Sequence, residues 1–257
     1  MAAKESGSEI LKLYKNLGET PLECIERFRV ERPEYAKVNM TYLGRLDPMA
    51  EGLLLVLAGN TRDKKQYLEW DKTYEFEVLW GFETDTYDTL GLVTGMGKMP
   101  QKLDFKMQKL IEHISKKKTQ EYPPYSSRTV GGKALHAWAR EGKIDEIDIP
   151  TRQVRIFSLE HTNTRLIKKD DLLKEIESRI ALVKGDFRQE EILKAWKRAI
   201  ELQAEMNYTH EYLISGFRAD VSSGTYIRSL AKEMGEELLT SACAYSIKRI
   251  RVGEYRL

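Results

Sequence analysis

Two stretches of the chain have the hydrophobic pattern of β-strands. Residues Leu53–Ala58 form an unbroken apolar run closed by Gly59 and Asn60, which is typical of a buried strand, although a short buried helix fits the run nearly as well. Residues Thr73–Trp80 approach an alternation of polar and apolar side chains and are rich in β-forming residues, so we predict a second strand there. The polar segment Gly81–Gly91 is predicted to be a loop.

Helical spacing and helix-start signals account for much of the remaining chain. Thr20–Glu23 has the residue types of a capped helix start, and Pro33 disfavours helix at the residue before it. Tyr122–Tyr125 must be extended because its two prolines fix their own φ angles and restrain their neighbours. The predicted helices are Pro21–Arg32, Phe105–Lys117, one that follows the Gly131-Gly132 turn and runs to Arg140, one opened by the capping pattern Asp186–Gln189 and ending near Met206, and Thr225–Leu239.

Length and composition narrow the class of protein. The chain has 257 residues, of which 41% are hydrophobic and 32% charged, and these values argue against wholesale disorder. No repeat and no linker rich in Gly, Ser or Pro divides it, so we expect one domain over residues 1–257. The longest apolar run is too short to cross a bilayer, and the first residues lack an apolar signal segment. Cys24 and Cys243 suggest neither a disulfide framework nor a zinc site. We therefore expect a cytoplasmic protein without membrane, metal or cofactor.

The net charge of +2 conceals an uneven distribution of charge. Residues Gln101–Gln120 carry six lysines against two acids, and Ile247–Leu257 carry four basic residues against one acid, whereas Thr61–Gly91 carry four bases against eight acids. A chain with such basic stretches can present a positive face to nucleic acid. The run Lys116–Lys118 is equally explained as a solvated helix end, so charge alone leaves both interpretations open.

The segment Leu43–Leu53 contains the strongest candidate for chemistry. Gly44 permits an unusual backbone conformation and Pro48 rigidifies the chain after Asp47, directly before the apolar run. A carboxylate on a rigid loop beside a buried strand is suited to act as a nucleophile or a general base. Taken alone, however, the pattern is more often an Asp-Pro turn in which the carboxylate binds a backbone amide.

The same segment resembles a known family. Residues Gly44–Leu54, with the pattern Gly-Arg-Leu-Asp-Pro-x-Ala-x-Gly-Leu-Leu, are similar to the signature of the TruB family of pseudouridine synthases. Other stretches agree with the family pattern in the same order, and together they extend over almost the whole chain. These are Lys15–Thr20, Lys72–Tyr74 followed by Gly81, Thr84–Thr86 and Asp88, then Tyr122–Arg140, Ser223–Leu230 and Lys248–Leu257.

The resemblance implies both a fold and an activity. The implied fold is the α+β pseudouridine synthase fold, in which helices and loops flank a bent, mixed, mostly antiparallel sheet with a central RNA cleft. The implied activity is isomerisation of uridine to pseudouridine in tRNA, at position 55 of the T-loop, by a monomer that binds the T-arm. Two alternatives stay open: the same chemistry on another RNA such as rRNA, and an RNA-binding or tRNA-folding protein with little catalysis.

The resemblance also assigns three catalytic residues. Asp47 matches the aspartate that attacks the flipped-out nucleotide, at C6 of the base or at C1′ of the sugar. Tyr74 matches the tyrosine that stacks on the extruded uracil and is implicated in proton removal. Arg228 matches the arginine that pairs with the aspartate, and its planar guanidinium suits that role. By periodicity alone, Tyr74 would be a core residue of a strand and Arg228 a salt-bridge residue on a helix surface.

A further set of residues is assigned to substrate binding. Tyr42 occupies the position of a family histidine that is associated with RNA binding and base flipping. Lys15 is also expected to support the aspartate loop, and Arg140 joins two neighbouring basic residues as a candidate for phosphate contact. The predicted substrate-binding residues are Tyr42, Lys15, Arg45, Arg128, Lys133 and Tyr226.

The chain departs from the family pattern in two larger features. Residues 164–206 are predicted to be a helical insertion, including Trp196, that either extends the RNA-binding surface or covers the core. The chain also stops where the catalytic domain of the family stops, so we expect no C-terminal PUA domain. On that expectation, the catalytic domain holds RNA largely alone.

Overall fold

A computed structural model describes residues 7–101, 103–207 and 210–257. Its strands are β1 (Glu9–Lys15), β2 (Met40–Tyr42), β3 (Ala50–Ala58), β4 (Lys72–Trp80), β5 (Phe82–Thr84), β6 (Val93–Met96), β7 (Thr119–Glu121), β8 (Thr129–Val130), β9 (Lys133–Ala134), β10 (Thr151–Gln153), β11 (Ile156–Lys168), β12 (Glu211–Val221), β13 (Ala242–Val252) and β14 (Tyr255–Arg256). Its α-helices are α1 (Pro21–Glu31), α2 (Lys65–Leu68), α3 (Leu103–Ser115), α4 (Leu135–Arg140), α5 (Lys169–Ala181), α6 (Gln189–Asn207) and α7 (Ile227–Glu237).

One mixed sheet organises these elements. Its strands are hydrogen-bonded in the order β1-β3-β13-β4-β12-β11, with β2 added to β3 and β14 to β13. All of these pairs are antiparallel except β3 with β13, in which Ile247 pairs with Ala50. The predicted α+β class with a mixed, mostly antiparallel sheet is therefore confirmed.

The strand predicted at Leu53–Ala58 is confirmed and is longer than the apolar run that identified it. It begins at Ala50 because β13 pairs with its first residues, and Gly52 in that stretch has φ +106°. A Cβ atom on Gly52 would collide with the backbone of Arg249 on the neighbouring strand, so the position requires glycine. The first residues of β3 are thus positioned by a close approach to β13, which the hydrophobic pattern of the sequence does not reveal.

One face of the sheet packs against two helices. The alternation along β4 places Tyr74, Phe76, Val78 and Trp80 on this face, where they join the buried side chains of α3 and α7. Helix α7 covers the centre of the sheet, and its N-cap residue Tyr226 exchanges two hydrogen bonds with the Gln120 side chain of β7. The N-terminus of α7 is consequently held over the sheet by both packing and hydrogen bonds.

The helical hairpin α5–α6 covers part of the opposite face. The fully buried side chains of Ile176 and Trp196 pack there with Leu79 of β4 and Tyr212 of β12. The helical part begins at Lys169, not at residue 164, because β11 continues to Lys168 and stays paired with β12. Within the predicted insertion, residues 164–168 are therefore strand.

The second helix of the hairpin starts two residues later than its capping pattern predicted, at Gln189. Arg188 takes a left-handed backbone conformation with φ +62°, which interrupts any helix begun at Asp186. The Gln189 side chain instead accepts a hydrogen bond from the Phe187 amide at 2.9 Å. In contrast, the capping box at Thr20 and Glu23 is present as predicted, with both reciprocal hydrogen bonds formed. None of the helices in the described ranges is both long and apolar enough to cross a membrane.

Replacing Trp196 with alanine should strongly destabilise the protein. The indole is fully buried, packs on Phe82 with ring centroids 5.3 Å apart, and donates a hydrogen bond from Nε1 to the Thr89 carbonyl at 3.1 Å. We expect Trp196→Ala to lower the free energy of unfolding by about 3–5 kcal/mol, measured by urea denaturation. The matched control is Phe105→Ala, since Phe105 is 88% exposed. Equal losses in the two variants would contradict this account of the hairpin.

Candidate active site

A cleft of about 970 Å³ opens between the Asp47 loop and the first turn of α7. The loop lies between β2 and β3, and its backbone turns at Asp47, whose carbonyl accepts a hydrogen bond from the Ala50 amide at 3.0 Å. Pro48 follows and limits the conformations of this turn. The catalytic candidates Asp47, Tyr74 and Arg228 all line this cleft.

Asp47 and Arg228 form an ion pair at the base of the cleft. Arg228 donates a hydrogen bond from Nε to Asp47 Oδ2 at 2.8 Å. The arginine side chain is 4% exposed, whereas the aspartate side chain is 33% exposed, so the carboxylate faces the cleft while the guanidinium is enclosed by protein. A charged hydrogen bond of this kind orients the carboxylate toward the cleft.

The other donors of the Arg228 guanidinium are also satisfied. One terminal nitrogen donates to the Thr86 carbonyl at 2.6 Å and the other to the Tyr125 carbonyl at 3.2 Å. Asp88 Oδ2 lies 3.8 Å from Nε and supplies a second negative charge. Burial acts to lower the pKa of Arg228, but the carboxylates of Asp47 and Asp88 outweigh it and raise the pKa above its ordinary value.

Asp88 is the buried carboxylate of this cluster. Thr86 donates a hydroxyl hydrogen bond to Asp88 Oδ1 at 2.7 Å, and the Leu90 amide donates a second at 2.9 Å. Burial nevertheless raises the pKa of Asp88 to about 6, against the opposing effects of Arg228 and Thr86. Above that pH, the Asp88 carboxylate is ionised and faces the same Arg228 nitrogen that binds Asp47.

Arg249 fixes the backbone of the aspartate loop. Its fully buried guanidinium donates to the carbonyl oxygens of Leu53 at 2.8 Å, Arg45 at 3.2 Å and Gly44 at 3.2 Å. The sequence argument did not single this residue out, although it lies in the C-terminal stretch that carries the family resemblance. The signal that could have identified Arg249 was a basic residue at a buried β-strand position. A buried cation requires several hydrogen-bond acceptors, so such a residue is expected to fix nearby backbone.

Lys15 contacts the same region, and it is buried and outside the set of residues that line the cleft. Its side chain is completely buried, and Nζ donates to the Ala50 carbonyl at 2.6 Å and to the Asn16 carbonyl at 3.0 Å. Burial lowers the pKa of Lys15 to about 8. The expected support of the aspartate loop fits this position, and direct substrate contact stays a prediction.

Tyr74 is the third residue of β4, and its side chain reaches the cleft from the face of the sheet. Its side chain belongs to the apolar cluster under α7, and its residue as a whole is 7% exposed. The core position indicated by periodicity and the cleft position implied by the family resemblance are therefore compatible. The ring packs in the core and one part of it lines the cleft. A ring so placed offers a rigid surface beside Asp47.

Of the other five predicted substrate-binding residues, three line the cleft and two do not. Tyr42, Arg45 and Tyr226 are lining residues, and Arg45 donates to the Tyr42 hydroxyl at 3.4 Å. Arg128 lies outside the cleft with its guanidinium 5.3 Å from the centre of the Tyr122 ring. Lys133 also lies outside, because it pairs with Glu141 and covers the Trp138 ring at 4.4 Å.

The cleft is strongly basic. Among the described residues that line it, seven are lysine or arginine and two are aspartate. Sequence reasoning missed Lys72, Arg152 and Arg188 as lining residues because they come from three separate segments. Burial, followed by the charge of Arg249, lowers the pKa of Lys72 to about 8. Within the described ranges, no group of three or more His, Cys, Asp or Glu residues could hold a metal ion.

Residues 32–187, more than half of the chain, match the family model described as "TruB family pseudouridylate synthase (N terminal domain)". A tRNA pseudouridine synthase B of Caldanaerobacter subterraneus is 36% identical over 165 residues, which cover 63% of this chain and 53% of that protein. The tRNA pseudouridine synthase 4 of Saccharomyces cerevisiae is 29% identical and is aligned over 84% of this chain and 61% of its own length. The chain thus spans just over half to about two thirds of the length of such relatives.

Two solved structures share the fold. A Cbf5-Nop10-Gar1 complex contains a chain with 17% identity and a TM-score of 0.55, and the match covers 96% of this chain and 49% of that one. An archaeal box H/ACA sRNP Nop10-Cbf5 complex gives 16% identity and a TM-score of 0.51 over 96% and 48% of the two chains. Helices, sheet and cleft together therefore follow a known architecture.

Replacing Asp88 with asparagine should change how stability depends on pH. Because the pKa of Asp88 is raised from 3.8 to about 6, the folded protein binds more protons than the unfolded chain between these two pH values. The stability contributed by this protonation is fully present below pH 3.8 and is lost as the pH rises through about 6. The loss is on the order of 3 kcal/mol.

Urea unfolding of the wild type and Asp88→Asn, measured from pH 4 to pH 7, checks this expectation. The wild-type free energy of unfolding should fall relative to that of the variant as the pH rises, since asparagine does not titrate. Parallel curves for the two proteins would show that Asp88 keeps its ordinary carboxyl behaviour in the folded protein.

Proposed function

The chain belongs to the TruB family of pseudouridylate synthases, and from this premise we propose that it isomerises uridine to pseudouridine in tRNA. The observation that carries the proposal is the Asp47–Arg228 ion pair, which lies in a cleft whose charged lining residues are mainly basic. The names of the relatives support a tRNA substrate.

In the proposed reaction, Asp47 is the nucleophile. Its carboxylate attacks C6 of the uracil or C1′ of the ribose, the bond between N1 and C1′ breaks, and the base rotates. A new bond forms between C5 and C1′ and the bond to Asp47 breaks. C5 loses its proton and N1 gains one, so atoms balance without a co-reactant. The partial exposure of Asp47 and the enclosed guanidinium of Arg228 support these roles, because the nucleophile must meet the substrate while its partner stays fixed.

The walls of the cleft fit a flipped-out nucleotide. The ring of Tyr74 gives the uracil a surface to stack on after it leaves the RNA stack. Tyr42 and Arg45, which also line the cleft, carry a hydroxyl and a guanidinium that suit contacts with the neighbouring ribose and phosphate. Tyr226, whose amide donates to Gln120 at 2.8 Å, completes this end of the cleft.

We further propose uridine 55 in the T-arm as the target and a cytoplasmic monomer as the working form. An unpaired loop uridine suits a cleft that holds a single extruded base, since such a base costs less to flip than a paired one. The buried, free thiols of Cys24 and Cys243 fit a reducing compartment.

Tritium release from RNA tests the activity and the nucleophile together. A tRNA transcript labelled at uridine C5 should lose tritium to solvent with the wild-type protein. Asp47→Asn should slow this release by at least about a thousandfold, because the amide is a poor nucleophile, while RNA binding in a filter assay persists. The matched control is Asp148→Asn, since Asp148 is an exposed carboxylate outside the cleft.

Three outcomes separate the alternatives. RNA binding without any tritium release by the wild type would favour an RNA-binding protein with little catalysis. Release that survives Asp47→Asn would exclude Asp47 as the nucleophile. A transcript with cytidine at position 55 should lose all release if that position is the target, and continued release from it, or faster release from an rRNA fragment, would point to another site.

A further inference from the structure

The tip of the α5–α6 hairpin, residues 182–188, lies between the two walls of the cleft. On one side, the Leu182 backbone lies so close to Gly18 that a Cβ atom there would collide with it, and the Gly18 amide donates to the Pro48 carbonyl at 2.9 Å. On the other side, Arg140 donates to the Asp186 carbonyl at 3.2 Å. The tip therefore contacts both the turn that supports the Asp47 loop and helix α4.

Arg188 is the residue of this tip that reaches furthest into the active-site cluster. Its guanidinium forms an ion pair with Asp85 at 2.9 Å and lies 4.8 Å from the centre of the Tyr125 ring. The side chain is only 24% exposed, although it follows the exposed Asp186. Its left-handed φ of +62° is uncommon for a residue with a side chain and is maintained by these contacts.

Asp85 and Tyr125 complete a three-residue cluster with Arg188. Asp85 also accepts the Leu92 amide at 2.8 Å, which fixes the loop that carries it. Burial, together with the Asp85 carboxylate that bonds to its hydroxyl, raises the pKa of Tyr125 to about 12. The phenol ring is thus held on one side by a carboxylate and on its face by a guanidinium.

Tyr125 links this cluster to the catalytic arginine. Its carbonyl oxygen accepts one of the three hydrogen bonds made by the Arg228 side chain, at 3.2 Å. The Thr86 carbonyl, which accepts another at 2.6 Å, lies one residue after Asp85. One main-chain acceptor of Arg228 therefore belongs to Tyr125, which Arg188 contacts, and the other belongs to the residue after Asp85, which Arg188 also contacts.

We propose that Arg188 is a positioning residue for the reaction: by clamping Tyr125 against Asp85, it keeps the acceptors of Arg228 in place and so keeps Asp47 oriented. The proposal rests on the proposed function. It makes the hairpin part of the active site, in addition to a cover for the sheet. Arg188 has no direct role with the substrate in this account, because its donors are directed to Asp85 and its flat face to Tyr125.

The kinetic test compares Arg188→Ala with Arg179→Ala. Arg179 is a matched control on the same hairpin, since its guanidinium lies 4.8 Å from the Tyr245 ring and outside the cleft. Under single turnover with saturating enzyme, Arg188→Ala should lower the rate of tritium release by about tenfold or more. Its affinity for RNA should stay within about twofold of wild type, as should the rate and affinity of Arg179→Ala.

The kinetic outcomes that overturn the proposal are distinct. Equal rates for the two variants would reduce Arg188 to a structural residue of the hairpin. Weaker RNA binding with an unchanged rate would make its guanidinium an RNA contact. In a Tyr125→Ala background, Arg188→Ala should cause no further loss, whereas a full tenfold loss there would show that Arg188 does not act through Tyr125.

A spectroscopic measurement keeps the proposal testable without activity. In protein labelled with 3-fluorotyrosine, the Tyr125 ¹⁹F resonance is identified by its disappearance in Tyr125→Phe. Arg188→Ala should shift this resonance and leave that of Tyr245 unchanged, and Arg179→Ala should do the reverse. An unmoved Tyr125 signal in Arg188→Ala overturns the clamp. An inactive wild type with the expected shifts would instead refute the proposed function.

Discussion

The enclosed guanidinium of Arg228 is the constraint on which the candidate active site depends. A buried cation is tolerated only when its donors are satisfied and its charge is compensated, and here Asp47, Asp88 and two main-chain carbonyls do both. Because the arginine is fixed by several partners, the carboxylate of Asp47 is fixed in turn while it remains open to the cleft. The orientation of the proposed nucleophile is therefore determined by groups that never meet the substrate.

Other buried cations that donate to main-chain carbonyls lie around the cleft. Arg249, Lys15 and Lys72 are all buried, and each donates to at least one main-chain carbonyl of an irregular segment. Each cation thereby fixes the shape of a loop and adds positive charge beneath the cleft. A single arrangement thus provides rigidity for catalysis and a potential that favours the anionic backbone of RNA. The near-neutral net charge of the chain conceals this concentration of charge.

The sequence predicted local structure and the catalytic candidates better than it predicted the residues that hold the active-site loops in place. An apolar run was sufficient to predict the strand at Leu53–Ala58, and alternation of polar and apolar residues was sufficient for the strand at Thr73–Trp80, because both signals are local. The Asp47–Arg228 contact joins residues 181 positions apart, so only the family resemblance could bring them together before the fold was known. Arg249 and Arg188 escaped notice because their partners are backbone atoms or residues of distant segments. The burial of Lys15 was not predicted for a related reason, since the sequence does not distinguish a buried ammonium from a solvated one.

The central claim is that the planar fork of Arg228 orients Asp47, and the single-turnover rate of Arg228→Lys tests it most directly. Lysine keeps the charge but cannot bind Asp47 and two carbonyls in one plane. The account predicts a loss of at least about tenfold in the rate of pseudouridine formation with RNA affinity unchanged, and no change in the control Arg218→Lys, which alters an exposed arginine of β12. A near-wild-type rate for Arg228→Lys, or a loss explained entirely by weaker RNA binding, would contradict it.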